Sequence, residues 1–373
     1  MGYYLVLVIY AAICLSVFKK PWIAAVAYLA FGIMQPQYIW FWHFEGLSPS
    51  KYLAIAAIAA WFIAALTNKI NFSIYKKKQN FVLLTMWILI HLSDVFSPFP
   101  VYSAGVPAEI VLDVLNTIMI LYFVSIGLLV SETALKYLSI ALVVIVTYYV
   151  YWSNDQYFSY NWSQFKSGRL MGPRGSIYRD ENVFSTLFMV GAPFLLFGFF
   201  YVKNKLLKYS VFIIIPLLWH SLFLAGSRGA MLATLVSTII ASRLIKSKVF
   251  NKLLIIGFVA ALLTQGGAML NRSTETLEAS QESSTEEPLN PRIVSWQHGL
   301  SHIKNHPLTG VGVQRFQHAT RVYFPESVPH VAHNTFLQLS ANSGILVGLL
   351  YLYLFWLAYK SYKFCVKNGV EKY

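Results

Sequence analysis

Residues 218–236 read LWHSLFLAGSRGAMLATLV. Two apolar runs meet at the turn GSRG, whose glycines permit a hairpin so tight that the backbone on either side approaches closely. An arginine stands at its tip. A guanidinium left unpaired at membrane depth costs on the order of 3 kcal/mol or more, so Arg228 either finds an anionic partner or snorkels to the headgroups. The stretch reads as two bilayer-crossing helices that turn round a charge.

Working outward, the same pattern fills the chain. Of 373 residues 57% are hydrophobic and 12% charged, against roughly 25% charged in an ordinary soluble domain. Blocks of about 20 apolar residues occur near 3–18, 21–42, 51–66, 81–97, 110–130, 136–152, 183–202, 209–226, 229–245, 251–270 and 335–359. The expected fold is therefore an all-α polytopic membrane protein of about eleven spans, since only helices here satisfy their backbone within a segment. The N-terminal MGYYLVLVIYAAICLSVFKK lacks the basic flank and small-residue cleavage site of a secretory signal and reads as a retained span. No internal repeat is evident.

The net charge of +14 does not point to nucleic acid. Lysines crowd alternate short loops, at 19–20, 69–78, 203–208, in RLIKSKVFNK and after 359, as the positive-inside rule requires. That sets the N-terminus outside, the C-terminus inside, and the loops 153–182 and 271–334 outside. Arginine sorts the other way. Of nine arginines only Arg243 falls inside, whereas of twenty lysines only Lys51, Lys166 and Lys304 fall outside. Topology needs positive charge of either kind, so the split asks for another cause. The planar guanidinium grips phosphate or carboxylate with two donors at once, which an ammonium cannot do. An external anionic ligand is expected. Cys14 and Cys365 fall in a span and in the inner tail, and no disulfide is expected.

The external segments carry the remaining polar residues. Asp94, Glu109 and Asp113 cluster round the turn SPFPVYSAGVP and are suited to pair with an external arginine. The loop 153–182 ends GRLMGPRGSIYRDENVF, where Asp180 or Asn182 is placed to cap the next helix and Arg169, Arg174 and Arg179 face its start. Residues 271–290 are acidic and without periodicity and read as a mobile linker. RIVSWQHGLSHIKN then sets Ile293, Trp296, Leu300 and Ile303 on one face of a helix lying along the membrane surface. His298, His302 and His306 follow at i, i+4, i+8. Without a carboxylate or cysteine to complete a metal set, that face reads as solvated. HPLTGVGVQRF turns on Gly310 and Gly312, and VPHVAHN leads into the last span.

GSRGA in a tight external hairpin, PRIVSW with NHPLTGVGVQRF in a long external loop, and HNTFLQLSANSGILVG opening the next span together resemble the O-antigen ligase and polymerase superfamily over roughly 169–348. KPWIAAVAYLAFGIMQPQYIW and GPRGSIYRDENVFSTLFMVGAP further resemble the branch called O-glycosylation ligases of exosortase-type gene clusters. The resemblance implies a GT-C-like glycosyltransferase of the bacterial inner membrane, working on its periplasmic face. The donor it implies is a glycan on undecaprenyl diphosphate; the acceptor is a lipid, glycan or protein. It also implies that Arg228 and Arg292 hold the diphosphate and that His333 is the base, with no cofactor or metal. Arg169, Arg174, Arg179, Arg315, His330 and Asn334 are further candidates for donor or acceptor binding. The family pattern is met by His333, Asn334 and Gly344, while the next glycine, Gly348, comes one position late and a single span follows. The implied parts are a bundle over 1–270, a periplasmic loop over 271–334, and a last span with cytoplasmic tail over 335–373. Two other readings stay open, a transporter of an anionic lipid-linked glycan and a noncatalytic scaffold. Taken alone, His333 also fits a helix-start residue held by local hydrogen bonds.

Overall fold

The computed structural model describes residues 2–16, 18–100, 106–244, 251–252, 254–259 and 291–368, with 248 and 263. The linker expected over 271–290, and most of the span expected near 251–270, lie outside the described residues. The described residues are 78% helix and 1% strand. In order come α1 (Gly2–Ser16), α2 (Trp22–Met34), α3 (Pro36–Ile39), α4 (Pro49–Leu66), α5 (Lys78–Val95), α6 (Ala108–Leu128) and α7 (Glu132–Phe158). A two-stranded hairpin, β1 (Phe165–Lys166) and β2 (Arg169–Leu170), precedes α8 (Glu181–Tyr201), α9 (Lys205–Ala225) and α10 (Arg228–Leu244). The C-terminal part holds α11 (Pro291–Asn305), α12 (Phe316–Tyr323), α13 (Thr335–Ser343) and α14 (Ile345–Lys367).

Among the described residues six helices are long and apolar enough to cross a membrane: α4, α6, α7, and parts or all of α8, α9 and α14. This fits an all-α membrane protein. The expected spans near 3–18 and 21–42 form helices of only 15 and 13 residues, below the roughly 20 that a straight crossing takes.

The chain divides into two compact units, 1–69 with 128–277, and 70–127 with 278–373. In the first, Tyr149, Phe184, Phe188 and Trp219 are essentially fully buried among α7, α8 and α9. Helices α7 and α8 touch where Gly191 faces Val146; a Cβ there would lie 2.3 Å from Val146 Cγ2. Helices α2 and α4 pack together, and each buries small side chains that let backbones approach, Ala24 and Ala25 on α2 and Ala57 and Ala60 on α4. The buried hydroxyls of Tyr149 and Tyr178 donate to the Met34 and Ile33 carbonyls, both at 2.7 Å, anchoring α7 and the loop before α8 to the end of α2. Asp180 caps α8, accepting from the N–H groups of Asn182 (2.9 Å) and Val183 (3.0 Å).

In the second unit α5 and α6 share polar contacts, as membrane helices need. Asn116 Oδ1 accepts from Trp87 Nε1 and lies the same 2.7 Å from His91 Nε2. The glycine-rich loop is strapped to the break between α13 and α14. The N–H groups of Val311 and Gly312 donate to the Ala341 and Asn342 carbonyls at 2.9 and 2.8 Å, and that of Ile345 to Pro307 at 2.9 Å. Gly310 (φ 69°) and Gly344 (φ 88°) make this possible, for a Cβ would meet the Asn342 carbonyl carbon at 2.4 Å and the Leu308 oxygen at 2.0 Å respectively. Gly348, one place late for the family pattern, is also a contact point: its Cβ would lie 1.8 Å from Ser340 Oγ.

Helix α11 forms as the spacing predicts, but its faces differ from expectation in one respect. Ile293, Trp296 and Leu300 are exposed, while Ile303 packs inward beside Phe316 and Leu337. The histidine face expected to be solvated is buried instead. His302 is 0% and His298 6% exposed, because Gly299 between them lets α13 press against the helix. The rings settle on aromatics, His298 stacked 4.2 Å from Phe324 and His302 edge-on to Phe316.

Candidate functional site

In the first unit the candidate residues gather round the end of α9. Gly226 adopts the left-handed conformation (φ 66°) and its N–H returns to the Leu222 and Phe223 carbonyls, closing the helix. Two residues later α10 begins at Arg228, which is exposed. The first N–H groups of a helix lack intrahelical partners and carry partial positive charge, so the guanidinium and the start of α10 reinforce one another toward an anion.

Arg169 is held nearby and is engaged within the protein. Its Nε donates to the Ala225 carbonyl at 3.0 Å, one amino group to Asn182 Oδ1 at 3.1 Å, and the other pairs with Glu181. One guanidinium thus joins β2, the start of α8 and the end of α9. Arg174 is exposed and donates to the Ser163 carbonyl at 3.1 Å, and Arg179 is exposed beside the capped start of α8.

In the second unit, taken by itself, the candidate residues lie on α11 and at the start of α13. His333 is exposed, immediately before the helix, with φ 49°. A left-handed backbone is uncommon for a residue with a Cβ and costs on the order of 1 kcal/mol or more, so the fold must hold it there. The side-chain cap of α13 is the next residue: Asn334 Oδ1 accepts the Leu337 N–H at 3.2 Å. Ahead of His333, Trp296 of α11 donates its indole N–H to the Ala332 carbonyl at 2.8 Å. Arg292 is exposed one helical turn before Trp296, so the arginine and the histidine sit on segments tied together through that bond. His330 is half-buried, and the carbonyl of its neighbour Pro329 accepts from Gln317 at 3.0 Å.

Arg315 is 4% exposed and pairs with Asp94 of α5. An arginine thus pairs with the Asp94 cluster, as the charge pattern suggested. Around it Ser93 and Ser97 donate to the Asn342 and Val311 carbonyls at 2.7 and 2.6 Å, so the C-terminal end of α5 anchors the glycine-rich loop.

Three contributors were not singled out beforehand. Glu181 reads from sequence as a helix-start residue, Gln338 as a polar position in an apolar run, and Trp296 as one member of an apolar face. The one available signal for Trp296 was that a tryptophan at such a face carries a donor that needs a partner.

Residues 213–352, from within α9 to within α14, match the family model described as O-antigen ligase. The match covers Arg228, Arg292 and His333 and supports the O-antigen ligase/polymerase superfamily to which the motifs pointed. No curated protein and no solved structure matches the chain.

Proposed function

Starting from the O-antigen ligase match over residues 213–352, we propose that the protein transfers a glycan from an undecaprenyl-diphosphate-linked donor to an acceptor at the periplasmic face of the bacterial inner membrane. The acceptor oxygen attacks the anomeric carbon, the bond from that carbon to the diphosphate breaks, and the lipid diphosphate departs with the electron pair. Diphosphate is a good leaving group, so charge stabilisation by preorganised arginines suffices on that side, and Arg228 and Arg292 take this role by motif. The acceptor hydroxyl holds its proton far above neutral pH, so a base that is neutral near pH 7 is needed, and imidazole is one. His333 receives that proton.

The observation that carries the reading is the Trp296–Ala332 bond. It ties the arginine-bearing helix to the segment presenting an exposed imidazole at the head of a helix pair ending in a membrane-long α14, and Arg292, Trp296, Ala332 and His333 all lie within the matched region. The test is transfer by purified protein in detergent from a defined lipid-linked donor, where no second compartment exists and transport cannot register. His333→Ala should abolish transfer, and Arg228→Ala and Arg292→Ala should weaken donor use. Full turnover in the His333 variant would remove that residue from its role.

A further inference from the structure

The backbone at His333 is held from both sides. The N–H of the preceding Ala332, a fully buried residue, donates to Gln338 Oε1 at 3.0 Å. The Ala332 carbonyl accepts from Trp296 Nε1 at 2.8 Å. The two peptide planes flanking Ala332 are therefore fixed by side chains from two different helices. Beyond His333 the chain is fixed again, because Asn334 caps α13 and its carbonyl accepts the Gln338 N–H at 2.8 Å. Gln338 is itself oriented, donating its amide to Asn342 Oδ1 at 3.3 Å. The φ of His333 is thus the torsion between a plane held by Trp296 and a residue held by the helix start. Its value of 49° is the kind of unfavourable geometry that persists only when its surroundings over-determine it.

We infer that Trp296 and Gln338 are positioning residues for His333: together they clamp Ala332 and so aim the imidazole. This rests on the catalytic reading above, and gives the tryptophan a task beyond its place on the apolar face of α11. A base must stand within hydrogen-bond reach of the proton it takes, and misplacement by an ångström costs up to roughly a hundredfold in rate. Donor binding is assigned to the Arg228 and Arg292 guanidiniums, whereas the clamp acts on the backbone at Ala332. Loss of the clamp is therefore a loss in kcat with little change in KM for the donor, whereas general destabilisation would lower the yield of folded protein and leave kcat per folded molecule unchanged.

The experiment compares Trp296→Phe, which keeps an aromatic ring but no N–H, with Gln338→Leu and Gln338→Glu, the last retaining an acceptor oxygen toward Ala332. Each is assayed for transfer with a defined undecaprenyl-diphosphate-linked donor, and amide hydrogen exchange is followed over 330–336. Trp296→Phe and Gln338→Leu should lower kcat about tenfold to a hundredfold with donor KM held and exchange quickened at Ala332, and Gln338→Glu should recover most of the loss. If one variant does not fold, the other still tests its half of the clamp. Wild-type kcat in both, with His333→Ala inactive, would overturn this inference and leave the base assignment standing. Turnover in His333→Ala would instead sink the base assignment, and unchanged exchange at Ala332 in both variants would overturn the clamp whatever the activity.

Discussion

Lowering the pH should loosen α11 from α12 through one ring. His302 is fully buried, and its Nε2 lies 3.0 Å from Thr320 Oγ1. That hydroxyl already donates to the Phe316 carbonyl, so it accepts from the imidazole N–H, and the ring is neutral. Burial first, and then the neighbouring His298 and His306, push its pKa down to about 4 from 6.5. Between those values the unfolded chain takes up a proton that the folded protein refuses. The stability held in this ring is therefore complete above pH 6.5 and lost as the pH falls toward 4. A gap of roughly 2.5 units at about 1.36 kcal/mol each amounts to about 3 kcal/mol. His302→Gln keeps an N–H for Thr320 and does not titrate. Thermal unfolding in detergent, followed from neutral to mildly acidic pH, should show wild type losing several degrees more than the variant. Parallel curves for the two proteins would refute the reasoning.

Gly344→Ala should destabilise the protein by about 3 kcal/mol or more, because a left-handed backbone and a collision with a backbone oxygen combine. Gly348→Ala should cost less, since the serine side chain it meets can turn away; the two melting temperatures compare them. Asp94→Ala strands a guanidinium of 5% side-chain exposure and should cost about 3–5 kcal/mol, while the double replacement Asp94→Leu with Arg315→Met recovers most of that in the same unfolding assay. Arg169→Ala and Arg169→Lys both lose the fork that joins Ala225, Glu181 and Asn182. Amide exchange across 226–229 should quicken in both and stay unchanged in Arg174→Ala.

Helices were legible because hydropathy and length are properties of a segment by itself, and the turn at 226–229 because glycine and arginine there have few other uses. The histidine face of α11 was misread for the opposite reason. On a water-soluble helix the apolar side packs inward, but α11 turns Ile293, Trp296 and Leu300 outward and packs through Ser295, His298, Gly299 and His302. Only the partner, α13 pressed against Gly299, decides which side is in. Asp94 and Arg315 could be matched by type, yet they lie 221 residues apart, and no local pattern says which arginine the carboxylate meets. Least legible was the left-handed turn at His333. Neither its own side chain nor its neighbours in sequence require it; the tryptophan that holds it lies on another helix.

The outward oily side of α11 has a practical corollary. A fragment spanning 291–334, cut out and handled in plain buffer, would present Ile293, Trp296 and Leu300 to water, and such copies would clump through those residues. Exchanging Ile293 and Leu300 for polar residues would cure the clumping and spare Trp296, whose indole N–H has its own work to do inside the fold.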